Sequence, residues 1–168
     1  MQAMDRPVET AANFIAAMGA AATGVSVVTT EGLAGRFGLT VSAISSVSAE
    51  PPMLLACVNR KSPAVAAMDR NGRFAVNVLG FNSRDVAEVF AGRPQSGKAY
   101  DFERHGWEEG SMGQPLLADA TASFECEIES SQDAGSHRIF IGRVVNAKRN
   151  TAEPLVYCNR AFGRVAEL

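Results

Sequence analysis

Hydrophobic and polar positions change period along the chain, and the changes mark its elements. From Ala11 to Ala22 an alanine-rich run carries Phe14, Met18 and Ala21 on one face, which predicts a packing helix capped by Thr10 and ended at Thr23-Gly24. Val25–Thr30 is β-branched and predicts a strand. A Gly-containing connection over 31–36 leads to a second β-like run, Leu39–Val47, rich in hydroxyls. Beyond the stiff Glu50-Pro51-Pro52 corner, Met53–Val58 is a continuous apolar run, as expected of a strand buried on both faces. Ser62-Pro63 reads as N-cap and first helical residue of a helix over Pro63–Asn71, with Gly72 as its left-handed exit. Phe74–Leu79 is again apolar on both faces. Gly80–Ala91 predicts a helix with Asn82 or Ser83 as cap and Val86, Val89 and Phe90 at helical spacing.

From Gly92 to Gly113 the pattern dissolves into Gly, Pro and charge, which predicts a long surface excursion. Ala120–Glu129 then alternates: Ala120, Ala122, Phe124, Cys126 and Ile128 toward a core, with Thr121, Ser123, Glu125, Glu127 and Glu129 toward water. His137–Ala147 is a long strand with Gly142 as a bulge or bend, and Leu155–Cys158 is the last clear strand. Six or seven strands and three short helices, without regular strand–helix alternation, predict a mainly β chain: an antiparallel barrel with peripheral short helices. One domain over 1–168 is expected, with 1–22 as an N-terminal helix and 23–165 as the barrel.

Composition narrows the function classes. The chain has 168 residues, 46% of them hydrophobic, enough for one sizeable core. A net charge of −2 and a pI near 5.7 give no nucleic-acid footprint. Cys57, Cys126 and Cys158 are widely spaced, odd in number and set in apolar runs, which predicts reduced, buried thiols in a cytoplasmic protein. His105 and His137 lie at no metal-ligand spacing, no secretory leader pattern opens the sequence, and no run approaches the ~18 apolar residues of a membrane span.

Gly92-Arg-Pro-Gln-Ser-Gly-Lys98 is one residue short of a phosphate-binding loop, because Ala99 stands where Ser or Thr should meet Mg²⁺. The chain carries neither G-x-G-x-x-G nor G-x-S-x-G. More informative is 38–62, which brings hydroxyls, the cations Arg60 and Lys61, and a helix N-terminus into one unit. Those parts suit a phosphate-bearing ligand, and equally a solvated hairpin followed by a capped helix. His137, after Gly135-Ser136, belongs at a barrel rim, either simply exposed or facing a ligand.

The same residues carry a resemblance. Gly38-Leu-Thr-Val-Ser-Ala-Ile-Ser-Ser-Val-Ser-Ala-Glu-Pro-Pro52 with Cys57-Val-Asn-Arg-Lys-Ser62 resembles the signature of small flavin reductases with an FMN-binding split barrel. These are the NAD(P)H-dependent reductase components of two-component flavin monooxygenases. The similarity continues through Phe74–Leu79, Ala87–Phe90, Ser123–Cys126, Asp133–Val144 and Pro154–Tyr157, nearly the whole chain.

The resemblance implies a split β-barrel, a homodimer with flavin near the subunit interface, FMN or FAD as cofactor, NADH or NADPH as co-substrate, and an oxygenase that receives reduced flavin. It implies that Thr40, Val41 and Ser42 meet the isoalloxazine, and that Ser45, Ser46 and Ser48 lie nearer the ribityl and phosphate groups. Cys57, Val58 and Asn59 would line the flavin, Lys61 and Ser62 its phosphate, with Phe81 and Asn82 near the ligand. His137, in the Asp133-x-Gly135-x-His137 pattern, would face the nicotinamide, and Tyr157 and Phe162 would approach the same side. Hydride transfer then needs positioning rather than a proton-transfer residue, and donors to the flavin N1–C2=O edge would stabilise the anionic reduced form. A flavin store or sensor with little turnover, and a split-barrel domain with no ligand, are the alternatives.

Overall fold

The computed structural model describes residues 7–167. Helix α1 (Pro7–Ala20) precedes strands β1 (Thr23–Gly24), β2 (Ser26–Thr30), β3 (Phe37–Val41), β4 (Ile44–Ala49) and β5 (Pro52–Asn59). Helix α2 (Pro63–Asn71), β6 (Arg73–Val78), a 3-10 turn (Phe81–Ser83) and α3 (Arg84–Phe90) follow. Strands β7 (Trp107–Glu109), β8 (Pro115–Leu117), β9 (Ala122–Ala134), β10 (His137–Arg149), β11 (Leu155–Cys158) and β12 (Ala161–Arg164) complete the chain.

Seven strands form one antiparallel sheet in the order β3-β2-β6-β9-β10-β5-β4. Its closure follows from the connectivity. β3 and β4 are the two edges of that order, yet only Ser42 and Ala43 join them. Three peptide steps of about 3.8 Å span roughly 11 Å at most, so the edges must approach and the sheet must roll up. The Cys57 N–H donates to the Ala43 carbonyl at 2.9 Å, tying β5 to that link. β3 and β4 do not pair with each other, so the barrel is split at Ser42-Ala43.

Val28, Leu39, Val58, Phe74, Val76 and Phe140 are among the side chains filling the interior, with Val65 and Met68 of α2 packed against them. α2 is bounded as its sequence dictates: Ser62 Oγ accepts from the Ala64 N–H at 3.3 Å, Pro63 follows, and Gly72 ends the helix at φ 68°. Val27, on the other face of β2, joins a second core with Val86, Val89 and Phe90 of α3 and with Leu155. At Gly142 β10 slips register against β9, and a Cβ there would lie 2.7 Å from the Phe74 ring and from Cys126 Cβ. The bare glycine lets Phe74 fill the barrel.

Several expectations change. α1 starts at Pro7, so Thr10 lies within it, and its apolar face does not pack: Phe14, Ile15 and Met18 are 64%, 58% and 52% exposed. The hydroxyl-rich run over 39–47 is two strands, because its halves pair with opposite edges of the sheet. β5 is buried on one face only; Leu54, Ala56 and Val58 point inward while Leu55 and Cys57 are half-buried outside. Ser83 sits at the N-cap position of α3 without a side-chain cap bond; its Oγ bonds the Asp119 carboxylate at 3.4 Å instead. The 92–113 segment is anchored, since Phe102 and Trp107 pack on Phe90 at 4.8 and 5.1 Å.

The largest departure is in β9, which runs on to Ala134 and buries two residues assigned to water, Ser123 and Glu125. The β7–β8 hairpin lies over that face as an extra layer. Thr29 Oγ1 donates to the Pro115 carbonyl at 2.6 Å, and the Leu117 N–H donates to Asn77 Oδ1 at 2.8 Å. The short strands β7, β8 and β12 have no pattern of their own long enough to read. Among the described residues no helix is long and apolar enough to cross a membrane.

Candidate functional site

The split in the barrel is also where two clefts open, one after the other along β3. The larger, about 620 Å³, is lined by Thr40 and Val41 of β3 and Ser42 just after it, by Arg84, Glu88 and Arg93 on and just after α3, and by Tyr157, Arg160 and Phe162 of the β11–β12 hairpin. The smaller, about 410 Å³, is lined by Gly38 and Thr40, by Asn59, Lys61 and Ser62 at the β5–α2 junction, and by Phe90 and Tyr100. Thr40 and Ala91 belong to both clefts, so the two adjoin at that point of β3.

Local chemistry fixes each wall. Thr40 Oγ1 donates to the Ala87 carbonyl at 2.7 Å, which spends the hydroxyl proton on holding α3 against β3. A Cβ on Gly38 would sit 2.8 Å from the Phe102 ring and 2.9 Å from Phe90, so the missing side chain lets these aromatics close over β3. Asn59 Oδ1 accepts from the Lys61 N–H at 3.0 Å, shaping the turn that presents Lys61 beside the α2 N-terminus. No described residue bonds the Lys61 ammonium. An unpaired cation, a hydroxyl and a helix N-terminus at one end of a cleft form a donor set that fits a phosphate.

Most of the remaining residues expected at the site lie elsewhere, while Asn59 lines the smaller cleft and also pairs across to His137. The pairs Asn59–His137, Cys57–Ile139 and Leu55–Ile141 run across β5 and β10 on the outer barrel face, and Ser45 pairs with Leu55 on that side. His137 is exposed, 2.9 Å from Ser136 Oγ through Nδ1. Burial raises the Cys57 thiol pKa, so it stays protonated. Val58 is 0% exposed, so neither its side chain nor its backbone is open to a ligand. Ser46 is on the exposed edge strand, and Ser48 Oγ accepts from the Glu50 N–H at 3.2 Å. Phe81 and Asn82 line neither cleft; Phe81 stacks under Arg164 at 5.8 Å. Tyr157 and Phe162 do line the larger cleft, as a pair 5.2 Å apart, with Arg84 over Phe162 at 5.2 Å. Asp133 of the Asp133-x-Gly135-x-His137 pattern pairs with Arg60 at 3.2 Å, and Gly135 turns at φ 59°.

Sequence reasoning missed Arg84, Arg93, Tyr100 and Arg160. They come from three separate segments and share no local pattern.

Known proteins share this chain's sequence pattern and fold. Residues 18–166 match the flavin reductase like domain family. A flavin reductase (NADH) of Kitasatospora aureofaciens is 42% identical over 156 residues, covering 90% of this chain and 80% of that protein. The FMN reductase (NADH) RutF of Variovorax paradoxus is 37% identical over 155 residues, covering 92% and 83%. The structure of the Streptomyces globisporus NADH:FAD oxidoreductase SgcE6 with NAD and FAD fragments superposes with a TM-score of 0.84 at 30% identity, covering 99% and 98%. BorF, the flavin reductase component of a bacterial two-component tryptophan halogenase, does so with 0.83 at 33%, covering 94% and 99%. With the split barrel, the twin clefts and this similarity in hand, the chain belongs to the flavin reductase family.

Proposed function

We propose that the protein is an NADH-dependent flavin reductase that reduces FMN or FAD and passes the reduced flavin to a partner monooxygenase. The observation that carries this is the pair of clefts meeting at Thr40, with phosphate-binding chemistry at one end and aromatic rings at the other. When bound, a flavin supplies the hydride-accepting ring. The chain's part is positional: Lys61, Ser62 and the α2 N-terminus hold the phosphate, the β3 backbone at Thr40–Ser42 supports the ring, and Tyr157 and Phe162 wall the nicotinamide side. No proton-transfer residue is assigned, and the protonated Cys57 thiol is suited to lining rather than attack.

The outer face carrying Ser45, Cys57 and His137 supports a second part of the reading. These residues reach a flavin only if something covers that face, and a second copy of the chain does so in a homodimer. The exposed apolar face of α1 supports the same arrangement. All three cysteines are free, but only Cys126 is buried, while Cys57 and Cys158 are half-buried; free thiols suit a cytoplasmic setting.

Steady-state NADH oxidation with added FMN or FAD tests the activity. Turnover dependent on added flavin is expected; tight flavin binding without turnover would favour a store or sensor, and neither would leave a barrel without a ligand. Lys61→Ala should weaken FMN binding about tenfold while changing riboflavin binding less than twofold. Equal losses for both flavins would move the phosphate elsewhere. Ser62→Ala is the weaker probe, because it also removes the cap of α2, at about 1 kcal/mol.

A further inference from the structure

We propose that Arg93 and Arg160 form an anion clamp in the larger cleft that takes the pyrophosphate of NADH. The inference rests on the flavin reductase reading of the same site and names the group that distinguishes a dinucleotide from a mononucleotide there.

The charge balance of the cleft points to it. Its lining carries Arg84, Arg93 and Arg160 against a single carboxylate, Glu88. Glu88 is already engaged by Arg84 Nε at 3.0 Å and by Gln95 Nε2 at 3.2 Å. Arg84 is further committed to the Phe162 ring. Neither the Arg93 nor the Arg160 guanidinium has a hydrogen bond or ion pair with any described residue. Two unneutralised cations thus face one cleft from two different elements, the exit of α3 and the β11–β12 turn. Planar guanidiniums bind phosphate oxygens two at a time, and a pyrophosphate offers two adjacent anionic groups.

The backbone at Arg160 supplies an independent argument. Asn159 and Arg160 are the two central residues of the turn between β11 and β12, at φ 48° and φ 62°. Such turns favour Asn-Gly, because the second position is left-handed and strains any residue with a Cβ. The chain places a long cation where glycine would relieve that strain, and it does so at the cleft. Strain held at a ligand site is the expected signature of a residue kept for its side chain. Tyr157 and Phe162, which flank the turn, offer ring surface for the adjoining part of the dinucleotide.

The test uses Arg160→Gly, which suits the turn, alone and with Arg93→Gln. With FMN as acceptor, KM is measured for NADH and for reduced nicotinamide riboside, which carries no phosphate. Fluorescence quenching gives Kd for FAD and for FMN. The double variant should raise the NADH KM about tenfold or more, while the riboside KM and the Kd for FAD and for FMN stay within twofold. A change confined to FAD overturns the proposal, because it moves the clamp to the flavin. Parallel changes for all four molecules, or none, overturn it as well. If the wild type does not oxidise NADH with either flavin, the reductase reading falls, while direct NADH binding to wild type and double variant, followed by NADH fluorescence, still decides the clamp. If the wild type turns over and the variants match it in every constant, the clamp alone is wrong.

Discussion

Glu125 is 1% exposed in the middle of β9, and its carboxylate is kept ionised by what surrounds it. Burial pushes its pKa up, but the Met112 N–H, Asn146 Nδ2 and Ser111 Oγ donate at 2.8, 2.9 and 2.7 Å and bring it below the ordinary value of 4.5. The native state therefore binds fewer protons than the unfolded one. The stability this contributes is full above the ordinary value and is lost as pH falls through the depressed one. Glu125→Gln should cost about 1–3 kcal/mol at pH 7 in urea unfolding, and the gap to wild type should shrink in acid. A gap that does not change with pH would mean the charge is not what the three donors stabilise. Gly142→Ala tests packing at the same scale. The new methyl group has the Phe74 ring and Cys126 Cβ at 2.7 Å, and about 1–3 kcal/mol of destabilisation is expected in the same assay.

Elements are held to one another by a few specific side chains. The 92–113 segment has little regular structure before β7, yet Phe102, Trp107 and Phe90 form a mutual edge-to-face cluster at 4.8–5.2 Å. His105 Nδ1 adds a contact to the Asp85 carboxylate at 3.2 Å. Because Phe102 also touches the position of Gly38, this segment forms part of the lid over β3 beside the smaller cleft. Phe102→Ala should release it. Limited trypsin digestion should then cut faster at Lys98 or Arg104, with a loss of about 1–3 kcal/mol in global stability. Unchanged cleavage would show that Trp107 and His105 suffice to anchor the segment.

For the whole molecule the question is what covers the outer faces. α1 presents Phe14, Ile15 and Met18 to solvent, and β5 and β10 present Leu55, Cys57, Ile139 and Ile141 half-buried. Contiguous apolar surface of this kind is uncommon on monomers. Sedimentation at micromolar concentration should give twice the mass of one 17.8 kDa chain, and flavin affinity should fall on dilution below the dimer dissociation constant. A single subunit mass with full flavin affinity would place the whole flavin site within one chain.

The sequence determined the local elements whose cause is local. Ser62-Pro63 with Gly72 bounded α2 to the residue, the apolar run at Phe74 located β6, and Gly142 marked a bend where side-chain volume has no room. The parts of a phosphate site, Lys61, Ser62 and a helix N-terminus, were legible because they are adjacent in the chain. What lay beyond it was decided by pairing at a distance. One hydroxyl-rich run became two strands because its halves pair with opposite edges of a rolled sheet, and strand period says nothing about partners. Glu125 looked solvated because alternation reports which face a residue is on, while a hairpin from another segment decides whether that face stays wet. Arg93 and Arg160, separated by 67 residues of chain, share a cleft only because α3 and the β11–β12 turn pack beside the same strand. Contacts of that kind are set by the tertiary fold, since no local propensity encodes which distant side chain will stand opposite.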